Sequence, residues 1–194
     1  GDRIKLLPAA EYSKYPHDFI RGWASIRARY TFPTIELVQW LKERIGTSTA
    51  LEVGAGMGDL GYHLGIPQSD SAMQSENAQI KAFYKLIMQT ATDPPPDVMR
   101  EDAVESVKKH KPDIVIASWL SQKQLPGEST GNPLGPDEEE ILRHCKTYIH
   151  IGNDDSHGEK RILKYPHHVV RADWIISRAA RPINNNITVW KGWG

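Results

Sequence analysis

The chain has 194 residues, with 24 Lys+Arg against 24 Asp+Glu, eight His, one Cys and 39% apolar residues. That length suits a single globular domain that buries its own core without disulfides or a structural metal, and the lone Cys145 can form neither an internal disulfide nor a cysteine-rich zinc site. A net charge of zero excludes a global attraction to nucleic acid or anionic membrane. No apolar run approaches a membrane span, and residues 1–10 lack the apolar stretch of a secretory signal, which points to a cytoplasmic protein. Charge is nonetheless uneven. Residues 128–155 hold seven acids, and residues 156–194 hold seven Lys/Arg, so any polyanion contact is local to the last quarter of the chain.

Residues 1–31 mix Pro8, Pro16 and Gly22 with scattered aromatics, which reads as an irregular arm with one short helix around His17 to Ala28. Thr34 then caps a helix whose Val38, Leu41 and Ile45 fall on one face, with Gly46 placed to stop it. Thr49 to Val53 reads as a strand leading into Gly54-Ala55-Gly56-Met57-Gly58-Asp59. Beyond it the pattern alternates: a helix near Leu60–Leu64, a strand ending at Asp70, a helix over Ser75–Thr90 and a strand near Val98. A helix at Ala103–His110, a strand at Asp113–Ser118, a helix from Glu138 to Cys145 and a strand at Thr147–Ile151 continue it. Such alternation predicts an α/β fold with a parallel sheet and helices on both faces. Asp173–Ser177 and Ile187–Trp190, without an intervening helix, read as an antiparallel hairpin at the sheet edge.

A strand, three spaced glycines and a helix bring bare backbone close to a ligand. The P-loop is dismissed because the chain has no Gly-Lys pair. The dinucleotide fingerprint requires glycine where Asp59 stands and is weakened without being excluded. In the remaining form an acid, Glu52, precedes the first glycine by two residues, and a carboxylate there attracts a cationic ligand.

This Glu52-to-Gly58 pattern resembles motif I of the class I S-adenosylmethionine-dependent methyltransferases. The resemblance runs from about Tyr30 to the C-terminus, and only motif I is specific. It implies a Rossmann-like, mostly parallel seven-stranded sheet with an antiparallel C-terminal strand, and S-adenosylmethionine held by Glu52, Gly54, Ala55, Gly56 and Gly58. It also implies that Asp70, 18 residues past Glu52, accepts the ribose hydroxyls, and that Asp102 and Ala103 hold the adenine. Ser118 and Trp119 match the end of motif IV, facing the transferred methyl. Plainer readings stand beside these: Asp70 as a solvated turn residue, and Asp102 as a helix N-cap. Arg29–Pro33, Ile116–Trp119, Tyr148–Gly152 and Ile187–Trp190 are also similar to a poorly characterised branch of small methyltransferase-like proteins, which suggests no substrate.

Where amino-methyltransferases acting on DNA bases and some protein amides carry Asn/Asp-Pro-Pro-Tyr/Phe, this chain has Ala117-Ser118-Trp119-Leu120, which disfavours adenine or glutamine as the acceptor. Cys145 lacks the Pro-Cys context of cytosine chemistry and reads as a core thiol. The polar run Gly152–Glu159 offers His157 or Asp155 as a base, or is only a turn capping a helix at Glu159–Leu163. Its His-x-Glu has no Pro-Cys-x-x-Cys partner, so a zinc deaminase is rejected, and no metal is expected. Trp119, Trp174, Trp190 and Trp193 can stack on a planar acceptor or simply pack. Lys108 to Lys111 reads as the solvated end of a helix. The expected activity is methyl transfer to a small molecule, with a nucleic acid not indicated by net charge. An NAD(P)-dependent oxidoreductase and a non-catalytic cofactor-binding protein are the alternatives.

Overall fold

The central strands are apolar on both faces, because each is covered from both sides. In Ile114–Ala117, Val115 and Ala117 face one core with Leu51, Val53, Tyr148 and Trp190, while Ile114 and Ile116 face another with Ile149, Ile151 and Ile187. The computed structural model describes residues 3–194. Its elements in chain order are α1 (Ala9–Tyr12), α2 (His17–Ile26), α3 (Ile35–Ile45), β1 (Ala50–Val53), α4 (Asp59–Leu64), β2 (Gln68–Asp70), α5 (Met73–Glu76), α6 (Ala78–Leu86) and β3 (Met99–Arg100). There follow α7 (Ala103–His110), β4 (Ile114–Ser118), α8 (Glu138–Arg143), β5 (Thr147–Asn153), α9 (Asp154–His157), β6 (His167–Val170) and β7 (Asn185–Lys191).

The seven strands form one sheet in the order β3-β2-β1-β4-β5-β7-β6. The ladders are parallel from β3 to β5, and β7 runs against both β5 and β6. This is the mostly parallel, Rossmann-like α/β sheet with a reversed last strand that the resemblance implies. Helices α7 and α8 cover one face through Val107, Ile141 and Leu142. Helices α3 and α4 cover the other through Leu37, Leu41, Leu60 and Leu64. Thr34 Oγ1 accepts from Leu37 N–H at 3.1 Å, and Gly46 ends α3 at φ +51°, so both helix signals act as the sequence suggests.

Four expectations are corrected. In the segment read as an irregular arm with one short helix, that helix is found as α2, but α1 precedes it and the two build a small core of Tyr12, Ile20, Ala24 and Phe32. Ser75–Thr90 is two helices, because Asn77 leaves the helical conformation and its Oδ1 caps α6 at Gln79 and Ile80. The helix expected at Glu159–Leu163 is the short α9 followed by a 3₁₀ turn at Arg161–Lys164. Asp173–Ser177 is not the penultimate strand. Its carbonyls are taken by Thr34 Oγ1, Phe32 N–H and Asn185 Nδ2, so β6 at His167–Val170 pairs with β7 instead.

A buried ion pair braces the sheet beneath the β4–β5 edge. Lys160 Nζ donates to Glu138 Oε1 at 2.6 Å and to Leu120 O at 2.7 Å, and Tyr148 O–H donates to the same Oε1 at 2.7 Å. Removing one member strands the other in low dielectric. Lys160→Met should therefore lower unfolding free energy by about 3–5 kcal/mol, and adding Glu138→Gln should recover most of it, as read by urea denaturation.

Candidate functional site

Where β1 ends, the chain turns through Gly54, Gly56 and Gly58 at φ +60°, +57° and +70°, a region that penalises any Cβ. The three glycines differ in what surrounds them. A Cβ on Gly54 would lie 2.5 Å from Leu120 Cδ1, and one on Gly58 would lie 2.5–2.7 Å from Gln68, Arg3 and Val98. These two serve the protein's own packing. A Cβ on Gly56 would meet only Thr92 Cγ2, at 3.4 Å, so its backbone borders open space.

Carboxylates and neighbouring backbone hold the turn. Gly56 N–H donates to Asp70 Oδ2 at 2.8 Å, and Ala72 N–H donates to Asp70 Oδ1 at 2.8 Å. Ala55 N–H reaches Ser69 O at 3.0 Å. Gly61 N–H donates to Glu52 Oε2 at 2.7 Å. Both Asp70 oxygens thus accept backbone amides, which the plainer reading of a solvated turn residue does not include, and burial raises its pKa against their pull.

Above the turn lies a cavity of about 330 Å³, within the range of small-ligand sites. It sits at the carboxyl ends of β1, β2 and β4, where open α/β sheets bind ligands. Glu52, Gly54, Ala55, Gly56, Asp70, Asp102, Ala103, Ser118 and Trp119 all line it; Gly58 does not and packs beneath. Asp102 is also the helix cap, accepting from Val104 and Glu105 N–H at 2.8 and 3.2 Å. Ser118 Oγ donates to Thr31 Oγ1 at 2.8 Å. Trp119 adopts φ +58°, and its ring lies 5.8 Å from Tyr30 and edge-on to His157 at 5.2 Å. A bulky residue in this backbone region stores strain of the kind that gathers at functional sites.

Sequence reasoning missed how the first residues close one side of the site. Asp59, which breaks the dinucleotide fingerprint, is 6% exposed. Its Oδ2 lies 2.5 Å from Arg29 Nε, and its Oδ1 accepts from Ile4 N–H at 2.9 Å. Arg3 reaches Met57 O and Asp97. Burial, with the Asp59 charge, pushes the Tyr12 hydroxyl up to about 12. The far wall is aromatic and amide-bearing: Tyr30 and Tyr84 oxygens are 3.0 Å apart, and Gln74 Oε1 accepts from Thr92 N–H at 2.8 Å. Only the unexplained acid at Asp59 signalled this in the sequence.

The remaining candidates separate cleanly. Asp155 is turned to Arg181 and Asn184, while His157 borders the cavity. Trp190 donates to Ile162 O at 2.9 Å, Trp174 packs on Trp40, and Trp193 packs on Tyr165; these three pack, and Trp119 alone of the four is at the cavity. Cys145 is a core thiol, pushed up to about 12 by burial. Among the described residues no group of three or more His, Cys, Asp or Glu is placed to hold a metal ion, and no helix is long and apolar enough to cross a membrane.

No family model and no curated protein matches this chain. Solved structures do show similarity. The Pyrococcus abyssi tRNA (uracil-54, C5)-methyltransferase in complex with S-adenosyl-L-homocysteine is 14% identical, with a TM-score of 0.42 over 80% of this chain and 37% of that one. A candidate caffeoyl-CoA O-methyltransferase from Staphylococcus aureus is 11% identical, with a TM-score of 0.43 over 94% of this chain and 95% of that one. An S-adenosylmethionine-dependent methyltransferase from Agrobacterium tumefaciens is 14% identical, with a TM-score of 0.37 over 81% and 61%. The chain therefore spans little more than a third of the tRNA enzyme's length. Identities this low leave the chemistry of the site to its own geometry.

Glu52 gives that geometry a pH signature. Burial first, then the neighbouring Asp59 and Asp70 charges, push its carboxyl up to about 8, against the pull of Gly61 N–H. The native state then binds a proton that the unfolded state releases above its ordinary value of 4.5, so stability falls as pH rises toward 8. Wild-type stability should decline relative to Glu52→Gln by roughly 1 kcal/mol per pH unit between about pH 5 and 8, measured by denaturation across that range.

Proposed function

We propose that this chain binds S-adenosylmethionine across the Gly54–Gly58 turn and transfers its methyl group to a small-molecule acceptor. The observation that carries the reading is the open face of Gly56, whose N–H is held by Asp70, in a cavity that Glu52 and Asp102 also line. The donor set fits this cofactor. A pyrophosphate would sit unfavourably among these acids and beside the buried Asp59, whereas an adenosyl group bearing a sulfonium and an ammonium is attracted by them.

When bound, the cofactor supplies a methyl carbon already activated for in-line displacement, so the protein's work is placement and exclusion of water. Asp70 is fixed by two backbone amides, and each of its oxygens keeps a second lone pair for a ribose hydroxyl. Asp102 and Ala103 stand at the start of α7, on the side assigned to the adenine. Glu52 lies under the turn, where a nearby cation favours its ionised form. Ser118 and Trp119 close the end of β4, facing the acceptor. Tyr30, Tyr84 and Gln74 also line this cavity, and a net charge of zero gives no global attraction to a polyanionic acceptor, so a small molecule is the favoured one.

Calorimetric titration with S-adenosylhomocysteine tests this. Wild-type protein should bind in the micromolar range. Gly56→Val should abolish the heat while leaving circular dichroism unchanged, and Asp70→Ala should weaken binding by roughly tenfold or more, as expected for lost charge-assisted bonds. Absence of heat in the wild type would sink the proposal, and binding without transfer to any acceptor would favour a non-catalytic binding protein.

A further inference from the structure

Helices α5 and α6 lie between β2 and β3, and neither contains a buried residue. One side of this segment reaches the cavity: Met73, Gln74 and Tyr84 line it, and the Tyr84 and Tyr30 oxygens are 3.0 Å apart. The outer side of α6 and the residues that end it are apolar. Phe83 and Ile87 are exposed, and Leu86 and Met88 project into solvent at 80% and 86% exposure. A nine-residue helix is marginal in water on its own propensity, and exposed apolar residues gathered on it mark a contact surface. The surface continues onto α2. Thr90 N–H donates to Ser25 O at 3.3 Å and Thr90 Oγ1 to Ile26 O at 2.8 Å. The chain leaving α6 is thereby tied to the end of α2, where Ile26 is also exposed.

The charge on this surface has one sign. Residues 77–92 contain Lys81 and Lys85 and no Asp or Glu, and neither lysine side chain has an ion-pair partner among the described residues. Arg27, beside Ile26, stacks on Trp23 and pairs with no carboxylate among the described residues. The acids that bracket the segment, Glu76 and Asp93, are both turned to Arg100. This composition decides among occupants. In a two-fold dimer the patch would meet itself, setting cation against cation with no acid between them. An anionic bilayer offers both halves of the match: apolar chains for the projecting side chains and headgroup charge for the cations.

We propose that the outer face of α6, with Ile26 of α2, docks on the surface of an anionic lipid bilayer. Phe83, Leu86, Ile87 and Met88 enter one leaflet at the level of the headgroups, and Lys81, Lys85 and Arg27 meet the anionic lipids. The contact is peripheral and spans nothing. Because the chain has no net charge, long-range attraction is absent, and the apolar residues carry the binding while the cations select the lipid. Docking brings the segment that bears Gln74 and Tyr84, and so one wall of the cavity, to the lipid surface. The proposal stands independently of the methyl-transfer reading.

Co-sedimentation of the full chain with lipid vesicles tests it. Wild-type protein should bind vesicles of about 30% phosphatidylserine in phosphatidylcholine roughly tenfold or more tightly than vesicles of phosphatidylcholine alone, a preference that added salt weakens. Leu86→Ser combined with Met88→Ser should weaken binding by about tenfold or more, with circular dichroism and melting temperature unchanged. Lys81→Gln combined with Lys85→Gln should remove most of the preference for the anionic vesicles. Hydrogen exchange should slow over residues 80–90 when those vesicles are added, and should not change over β6 and β7. Binding to neither vesicle, equal binding to both, or binding that survives the serine double substitution overturns the proposal. A dimer in sedimentation velocity that the same substitution dissociates, without vesicle binding, would assign the face to a second copy and overturn it as well.

Discussion

The bond from Gly56 N–H to the Asp70 carboxylate is the constraint on which the site depends. It joins the turn after β1 to the end of β2, and it exists because parallel pairing of Val53 with Ser69 delivers Asp70 beside a backbone at positive φ. With Asp70 fixed, Gly56 faces open space instead of closing on its own sheet. Gly54 and Gly58 contribute by letting Leu120, Gln68 and Val98 pack against the turn from below. One glycine thus shapes the cavity, and two keep the turn seated on the protein.

Two buried ion pairs frame this arrangement, and their roles differ. Arg29–Asp59 ties the N-terminal segment to the helix that begins at the glycine turn. Lys160–Glu138 lies beneath the β4–β5 edge, next to the histidines there. Neither is needed to fill a core, since replacing a buried pair by apolar residues is often neutral or stabilising. Each instead holds a wall of the cavity. Burial first, and the Lys160 charge second, lower the pKa values of His157 and His150.

Much of the fold was legible wherever a local rule governs a local outcome. Thr34 and Gly46 bound α3, Asp102 starts α7, the glycine turn follows β1, and the apolar run Ile114–Ala117 is a central strand. What escaped depends on partners distant in sequence. The carbonyls of Trp174, Ile175 and Ile176 are taken by Thr34, Asn185 and Phe32, so a strand-like sequence is not a strand. Asp59 finds Arg29 across a separation that no helical or strand period spans. Nine of the ten residues named for the cofactor line one cavity because the parallel order of β1, β2 and β4 gathers their carboxyl ends. The exception, Gly58, shows that a motif glycine can serve packing alone.

The most direct measurement is a crystal structure of the full chain grown with S-adenosylhomocysteine. The account predicts the ligand lying over the Gly56 backbone, its ribose hydroxyls on Asp70 and its sulfur toward Trp119, with the Asp70–Gly56 bond intact. Density for the ligand elsewhere, or the protein's own side chains filling the space above Gly56, would contradict it.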